Sequence, residues 1–250
     1  MKNIWLSILA IIAILTGGWY VYVAKGGPSI PFDALTHGLM ALIAVYVFGK
    51  IREAYKRTQN ITYKYLSYFI FGWIIAGFSV AIGNFYFFDN PFLFGWAFAI
   101  AVLALFPAAA YFVRIPFNLK NAFGLEKLAF WAVLAVGAVI IGMSVLNFPQ
   151  PFVNESGFTQ FNSPLPALLG TLPFTAYALV TGLLALFFFV EAGRTKEKLV
   201  RMRSVFIGVG TLLSVGLGFH IFGGGLLSSW GELSVAVGFL AILAGVLYKD

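Results

Sequence analysis

The chain has 250 residues, of which 61% are hydrophobic and 10% are charged, with a net charge of +7 and a mean hydropathy of +0.93. A soluble domain carries about 25% charged residues. This composition therefore excludes a soluble domain and predicts a membrane protein. Long apolar runs without alternation favour helices over a β-barrel. The absence of cysteine excludes disulfides, thiolate metal sites and a cysteine nucleophile.

Eight apolar runs are long enough to cross a bilayer, for which about 20 residues suffice. Lys2 precedes the first run as in a signal peptide, but no small-residue cleavage motif follows within 19–27, so we interpret the run as a retained helix. Cleavage would leave seven helices with the same orientation. The predicted spans are 4–23, 33–49, 65–88, 92–113, 127–148, 165–190, 204–222 and 231–248.

The placement of the basic residues predicts the orientation. With a cytoplasmic N-terminus, 15 of the 16 Lys and Arg residues fall in inner segments, and only Lys25 falls outside. The positive-inside rule therefore predicts that both termini are cytoplasmic. The positive charge is thus explained by the orientation in the membrane and does not indicate binding to nucleic acid. We expect a multi-pass protein of the cell membrane that is surrounded by lipid. The outer connection 149–166 contains an Asn154-Glu-Ser156 glycosylation pattern.

An internal repeat organises the chain. Residues 34–57 and 178–201 share nine of 24 positions without a gap, including polar positions, and weaker matches continue into the neighbouring helices. We interpret this as a tandem 4+4 duplication with parallel copies, residues 1–113 and 127–250, joined by a cytoplasmic connection, 114–126. The identical positions in the first copy are Ala34, Leu35, Gly38, Leu39, Ala41, Leu42, Gly49, Glu53 and Arg57.

Small and aromatic residues predict how the helices pack. Glycine and alanine in the third and seventh spans indicate that these two helices form a close central pair. The phenylalanine-rich stretches 92–98 and 187–189 are predicted to face lipid.

The two histidines are the main candidate functional residues. His37 lies near the outer start of the second span and His220 near the outer end of the seventh, so both are expected at a similar depth. A b-type haem needs imidazoles from two helices at one level, and glycines leave room for a flat ring or a quinone. The predicted cofactor-binding set is His37, His220, Gly38, Gly216 and Gly218, with the histidines as ligands of the haem iron.

Alternatives to a cofactor remain open for the same residues. Imidazole is amphipathic and suits a membrane interface, and the glycines also suit helix packing. In the duplication His37 corresponds to Thr181, so the histidines are not copies of one ligand. Asp33, one turn before His37, is a candidate to orient its ring, or to form a zinc-type site with His220 and Glu232.

Other polar residues indicate few kinds of chemistry. No lysine lies in the interior of a predicted span and no ionisable group lies near a midplane, which argues against a retinal Schiff base, a proton pump or an ion-coupled carrier. Midplane hydroxyls are expected to bond back to a backbone carbonyl or across helices rather than to line a path. Glu191 is expected to pair with Arg194 at the inner end of its helix. The hydroxyl residues concerned are Thr16, Ser79, Ser144, Thr181, Thr211 and Ser214.

Three functional hypotheses follow. The first is a membrane subunit that transfers electrons through one haem b or a quinone near the outer face, as a redox or non-catalytic subunit of an oxidoreductase complex. The second is a cofactor-free sensor or structural subunit that binds other membrane or extracytoplasmic subunits. The third is a passive carrier or channel for a neutral solute.

Overall fold

The structure, a computed structural model, describes residues 2–26, 32–146, 150–153, 159–162, 172–214 and 226–248. These residues form eight helices and one short hairpin. The helices are α1 (Lys2–Ala24), α2 (Phe32–Thr58), α3 (Ile61–Tyr86), α4 (Pro91–Leu119), α5 (Phe123–Leu146), α6 (Leu172–Arg194), α7 (Lys198–Leu213) and α8 (Leu226–Leu247), and the hairpin strands are β1 (Gln150–Val153) and β2 (Thr159–Asn162).

Six helices, α1 to α6, are long and apolar enough to cross a membrane, which makes the chain a multi-pass helical membrane protein. The described part of α7 has 16 residues, and the apolar stretch Leu233–Leu247 of α8 is also shorter than a span. The predicted seventh span continues into 215–222, which lie outside the described residues. The number eight therefore stays a prediction.

Local sequence signals set the helix boundaries. The side chain of Asn60 caps α3 by accepting a 2.9 Å hydrogen bond from the amide of Thr62. The side chain of Asn90 caps α4 by accepting a 3.2 Å hydrogen bond from the amide of Leu93. Pro91 occupies the first turn of α4, where a backbone N–H has no partner within the helix, so its missing N–H costs nothing. Gln59 and Asn121 have positive φ values of 55° and 56° and end the preceding helices.

The connection between α5 and α6, which the sequence predicts as an outer connection and not as a helix, contains a short hairpin. Gln150 pairs with Asn162 and Val153 with Thr159 in an antiparallel hairpin whose first strand lies beside α4. The candidate glycosylation site, Asn154, lies outside the described residues.

Six helices form one closed ring around a shared core. Going round, α2 packs on α3, α3 on α4, α4 on α6, α6 on α7, α7 on α8, and α8 returns to α2. Helix α1 lies outside the ring against α2 and α3, and α5 lies outside it, mainly against α4. A single buried cluster draws side chains from all six ring helices.

Within the described residues, the third and seventh helices do not form the predicted central pair. The glycines do bring helices close together, but within each half: Gly72 packs against Ala104 and Ala108 of α4, while Gly210 packs against Gly238 of α8. Both contacts leave no space for a side chain. The phenylalanine prediction is half right, because Phe92 is exposed whereas Phe94 and Phe188 are buried.

Charged contacts show which connections share an end of the bundle. Arg203 at the start of α7 donates hydrogen bonds to the carbonyl oxygen of Tyr248 after α8. Lys120 after α4 pairs with Glu191 near the end of α6 at 2.7 Å. We call this the basic end. At the opposite end Lys25, the one basic residue predicted outside, pairs with Asp89 at 3.0 Å.

Candidate functional site

His37 lies on α2 where three helices meet. It is buried, with 8% of its surface exposed, and its carbonyl oxygen lies 3.1 Å from where a Cβ on Gly77 of α3 would be. A Cβ on Gly38 would lie 2.8 Å from the Leu15 side chain of α1. The space beside Gly38 is therefore filled by a neighbouring helix, and its cofactor-binding role stays a prediction.

The other predicted site residues are described only in part. Asp33 is the second residue of α2, and its side chain lies outside the description. His220, Gly216 and Gly218 also lie outside the described residues. In the described residues α7 packs on α8, and α8 packs on α2, the helix that carries His37. The pairing of the two histidines is untested.

The described residues give no support to a three-residue metal site. Within the described ranges no three His, Asp or Glu side chains come together as metal ligands. The zinc alternative needs His220, which lies outside the described residues, and Glu232, of which only the backbone is described. It therefore stays a prediction that rests on sequence alone.

A buried charge cluster at the basic end was missed by the sequence analysis. Glu126 of α5 is 3% exposed, and its Oε1 accepts hydrogen bonds from the Tyr65 hydroxyl at 2.7 Å and from Arg114 Nε at 2.6 Å. These residues come from α3, α4 and α5. The Arg114 cation balances the charge of the carboxylate, and the Tyr65 hydroxyl adds a second hydrogen bond, so that the cluster joins the ends of three helices.

Aromatic rings enclose the Arg114 side chain of this cluster. Its guanidinium carbon lies 4.7 Å from the ring centre of Tyr65, 5.2 Å from that of Phe130 and 6.0 Å from that of Tyr111. The planar cation is attracted to the ring faces while it binds Glu126. The arrangement fixes the start of α5 and presents no reacting group.

The sequence does not predict this cluster because the connection between α4 and α5 is shorter than expected. The sequence predicts Arg114 and Glu126 in an inner connection of residues 114–126, but α4 continues to Leu119 and α5 begins at Phe123. Both charges therefore lie within helices. An acidic residue in the first turn after Asn121 was the available signal for the earlier helix start.

A hydrogen bond joins the two halves in the middle of the core. Trp73 Nε1 of α3 donates to the Tyr177 hydroxyl of α6 at 2.8 Å, and the rings of Trp73 and Phe239 of α8 lie 5.6 Å apart. All three residues are at most 2% exposed. Nearby, Phe112 stacks on Phe69 and Phe188. Large side chains thus fill the contact between the halves.

Several hydroxyl side chains of the helices donate hydrogen bonds to backbone carbonyls of their own helix, as predicted. Thr16, Thr181 and Thr211 donate to carbonyl oxygens four residues earlier, at 2.7–2.9 Å, and Ser214 donates to Thr211. The predicted partner of Glu191 was wrong, because Lys120 binds it and not Arg194. Lys120 reaches across from the first half of the chain.

The comparisons with known proteins add no function. The chain matches no protein-family model and no curated protein. The function therefore has to be argued from the geometry above.

Proposed function

We propose that this chain is a structural subunit of a larger complex in the cell membrane, built as a tandem 4+4 duplication with both termini in the cytoplasm. The observation that carries the proposal is the Trp73–Tyr177–Phe239 junction. It joins three helices from both halves into one packed body, which suits a scaffold. It also argues against a solute path between the halves.

The helix neighbours support the duplication. Exchange of the two halves maps the series α2, α3, α4 onto α6, α7, α8. The same exchange maps the α4–α6 contact onto the α8–α2 contact, and both contacts are present. A ring that repeats after three helices is what a pseudo-twofold axis along the membrane normal produces.

Isolation from native membranes tests the subunit proposal. We expect the tagged chain, expressed at its natural level and extracted in mild detergent, to migrate with another polypeptide at a fixed stoichiometry. Native mass spectrometry would measure the masses and the ratio. Recovery of the chain alone, stable and at its own mass of 27.3 kDa, would overturn the proposal.

Electron transfer through a haem b or quinone bound by His37 and His220 is the second candidate. The observation that favours it is the burial of His37 at a meeting point of α2 and α3, because a buried imidazole is a common haem ligand. An absorption spectrum of the purified protein tests the haem form. A Soret band lost in His37→Ala would support this candidate, and a featureless visible spectrum together with no extractable quinone would remove it.

A further inference from the structure

The same sequence motif is covered by a helix in the first half and open in the second. Helices α2 and α6 share the pattern Ala-Leu-x-x-Gly-Leu-x-Ala-Leu at residues 34–42 and 178–186. On α2 the glycine, Gly38, receives Leu15 of α1. On α6 a Cβ added to Gly182 would meet nothing within 4 Å.

The side chains around the two glycines show the same contrast. Ala34 is completely buried, in a cluster with Tyr22 of α1 and Phe85 of α3. On α6 the flanking leucines protrude, with Leu183 67% exposed against 46% for its counterpart Leu39. We call the space over Gly182, between Leu179 and Leu183, the α6 notch.

Helix α5, the counterpart of α1, does not fill this notch. The aromatic ring of Phe106 on α4 occupies the space beside Gly137 of α5, and Ile140 packs with Phe106 and Val102. The Glu126 cluster holds the start of α5 against α3 and α4. Gly142 of α5 is likewise open, whereas its counterpart Gly17 contacts Tyr86.

We propose that the α6 notch binds one transmembrane helix of a partner membrane protein, packed on α6 as α1 packs on α2, with a leucine-sized side chain over Gly182. The α1–α2 interface supplies the argument, because the same motif already binds an apolar helix there. Close backbone approach at a glycine is the usual basis of such packing in lipid. This inference rests on the proposed function and names the chemistry of the partner.

A second copy of the chain fits the notch less well than a partner does. In each copy α1 is already seated on α2, and α5 is held on α4. Neither helix is free to cover another copy's Gly182 in the way that Leu15 covers Gly38. Covering Gly182 as Leu15 covers Gly38 therefore needs a helix from a different chain.

A peptide of residues 2–24, the α1 sequence, is the probe for this site. The full chain carries no cysteine, so Val190→Cys on the same face of α6 takes a single fluorescent donor, and the peptide takes an acceptor. In phosphatidylcholine nanodiscs we expect saturable energy transfer. In Gly182→Ile the apparent affinity falls at least tenfold, since the added side chain fills the notch.

Gly124→Ile on α5 is the matched control, because its Cβ also meets nothing within 4 Å but lies outside the motif. It should bind the peptide as the wild type does. Transfer that never saturates, or that is equal in Gly182→Ile, would mean that only lipid covers the notch and would overturn the inference. Transfer between two labelled copies that is lost in Gly182→Ile would identify a second copy as the occupant and would also overturn it.

The native complex separates this inference from the proposed function. If the partner polypeptide is lost from the complex in Gly182→Ile and kept in Gly124→Ile, both the notch inference and the subunit proposal stand. If the complex survives in Gly182→Ile, the notch is not the contact, while the subunit proposal stands. If the wild-type chain is isolated alone, the subunit proposal fails whatever the peptide does.

Discussion

Trp73 of α3 and Tyr177 of α6 lie 104 positions apart in the chain, yet the indole Nε1 donates a 2.8 Å hydrogen bond to the tyrosine hydroxyl in the buried core. The two rings meet edge to face, with centres 5.6 Å apart. The pair joins the first half of the chain to the second at a point that water does not reach. It is the most direct point at which to test how firmly the halves are joined.

Tyr177→Phe removes the acceptor and leaves the Trp73 N–H buried without it. We expect the free energy of unfolding to fall by about 1 kcal/mol, since a buried unpaired donor costs about 1–3 kcal/mol and hydrogen bonds between membrane helices average about 0.6 kcal/mol. Thermal unfolding in detergent measures the loss. A double-mutant cycle with Trp73→Phe should give a coupling energy of about 0.5–1.5 kcal/mol, and a value near zero would show that the hydrogen bond contributes nothing.

Glycines with different surroundings should respond in opposite ways to the same change. A Cβ at Gly238 of α8 would lie 2.6 Å from the carbonyl oxygen of Gly210, so Gly238→Ala has to push α7 and α8 apart. We expect a loss of about 1–3 kcal/mol in the free energy of unfolding. Gly182→Ala, in open space, should be neutral or raise it by up to about 1 kcal/mol through helix propensity. Equal losses in both variants would contradict this explanation of the packing.

Removal of the buried carboxylate should weaken the attachment of α5. In Glu126→Ala, Arg114 and the Tyr65 hydroxyl both lose their acceptor, and breaking a buried ion pair costs about 3–5 kcal/mol. We expect about 3 kcal/mol, because Arg114 keeps 24% of its side-chain exposure. Proteolysis at the α4–α5 connection in detergent gives a second measurement and should become faster.

Glu53→Ala is the control for this change. Glu53 pairs with Lys50 on one helix at 3.5 Å, with both side chains about one-third exposed, and such pairs contribute about 0.3–0.5 kcal/mol. It should leave stability and proteolysis close to those of the wild type. A loss in Glu53→Ala as large as that in Glu126→Ala would show that the burial of the ion pair has no special effect.

The sequence predicts the helical class well because a bilayer requires long apolar helices with internally bonded backbones. It also predicts the back-bonded hydroxyls, since that preference is local to one helix. It does not predict which helices meet. Glycine content marks close contacts, but Gly72 and Gly210 approach α4 and α8 rather than each other, and composition does not name a partner.

The candidate site shows the same division between local and long-range information. The sequence identifies His37 as unusual, and the structure buries it. The Glu126 cluster depends on three helix ends that come together in space, and each of its residues alone resembles a solvated charge near a membrane surface. An error of a few residues in the α4–α5 connection was enough to hide it.

The orientation of the bundle is the last prediction. The three connections at the basic end and the helix ends beside them, residues 50–64, 114–127 and 191–203, carry 13 of the 16 Lys and Arg residues. Transferring these charges across the membrane would oppose the positive-inside preference. Single cysteines at Arg57, Asn121 and Lys196 should therefore react with a membrane-impermeant maleimide only after the cytoplasmic side is opened. A cysteine at Asp89, at the opposite end, should react in intact cells. The reverse pattern would invert the topology and place the Glu126 cluster at the outer surface.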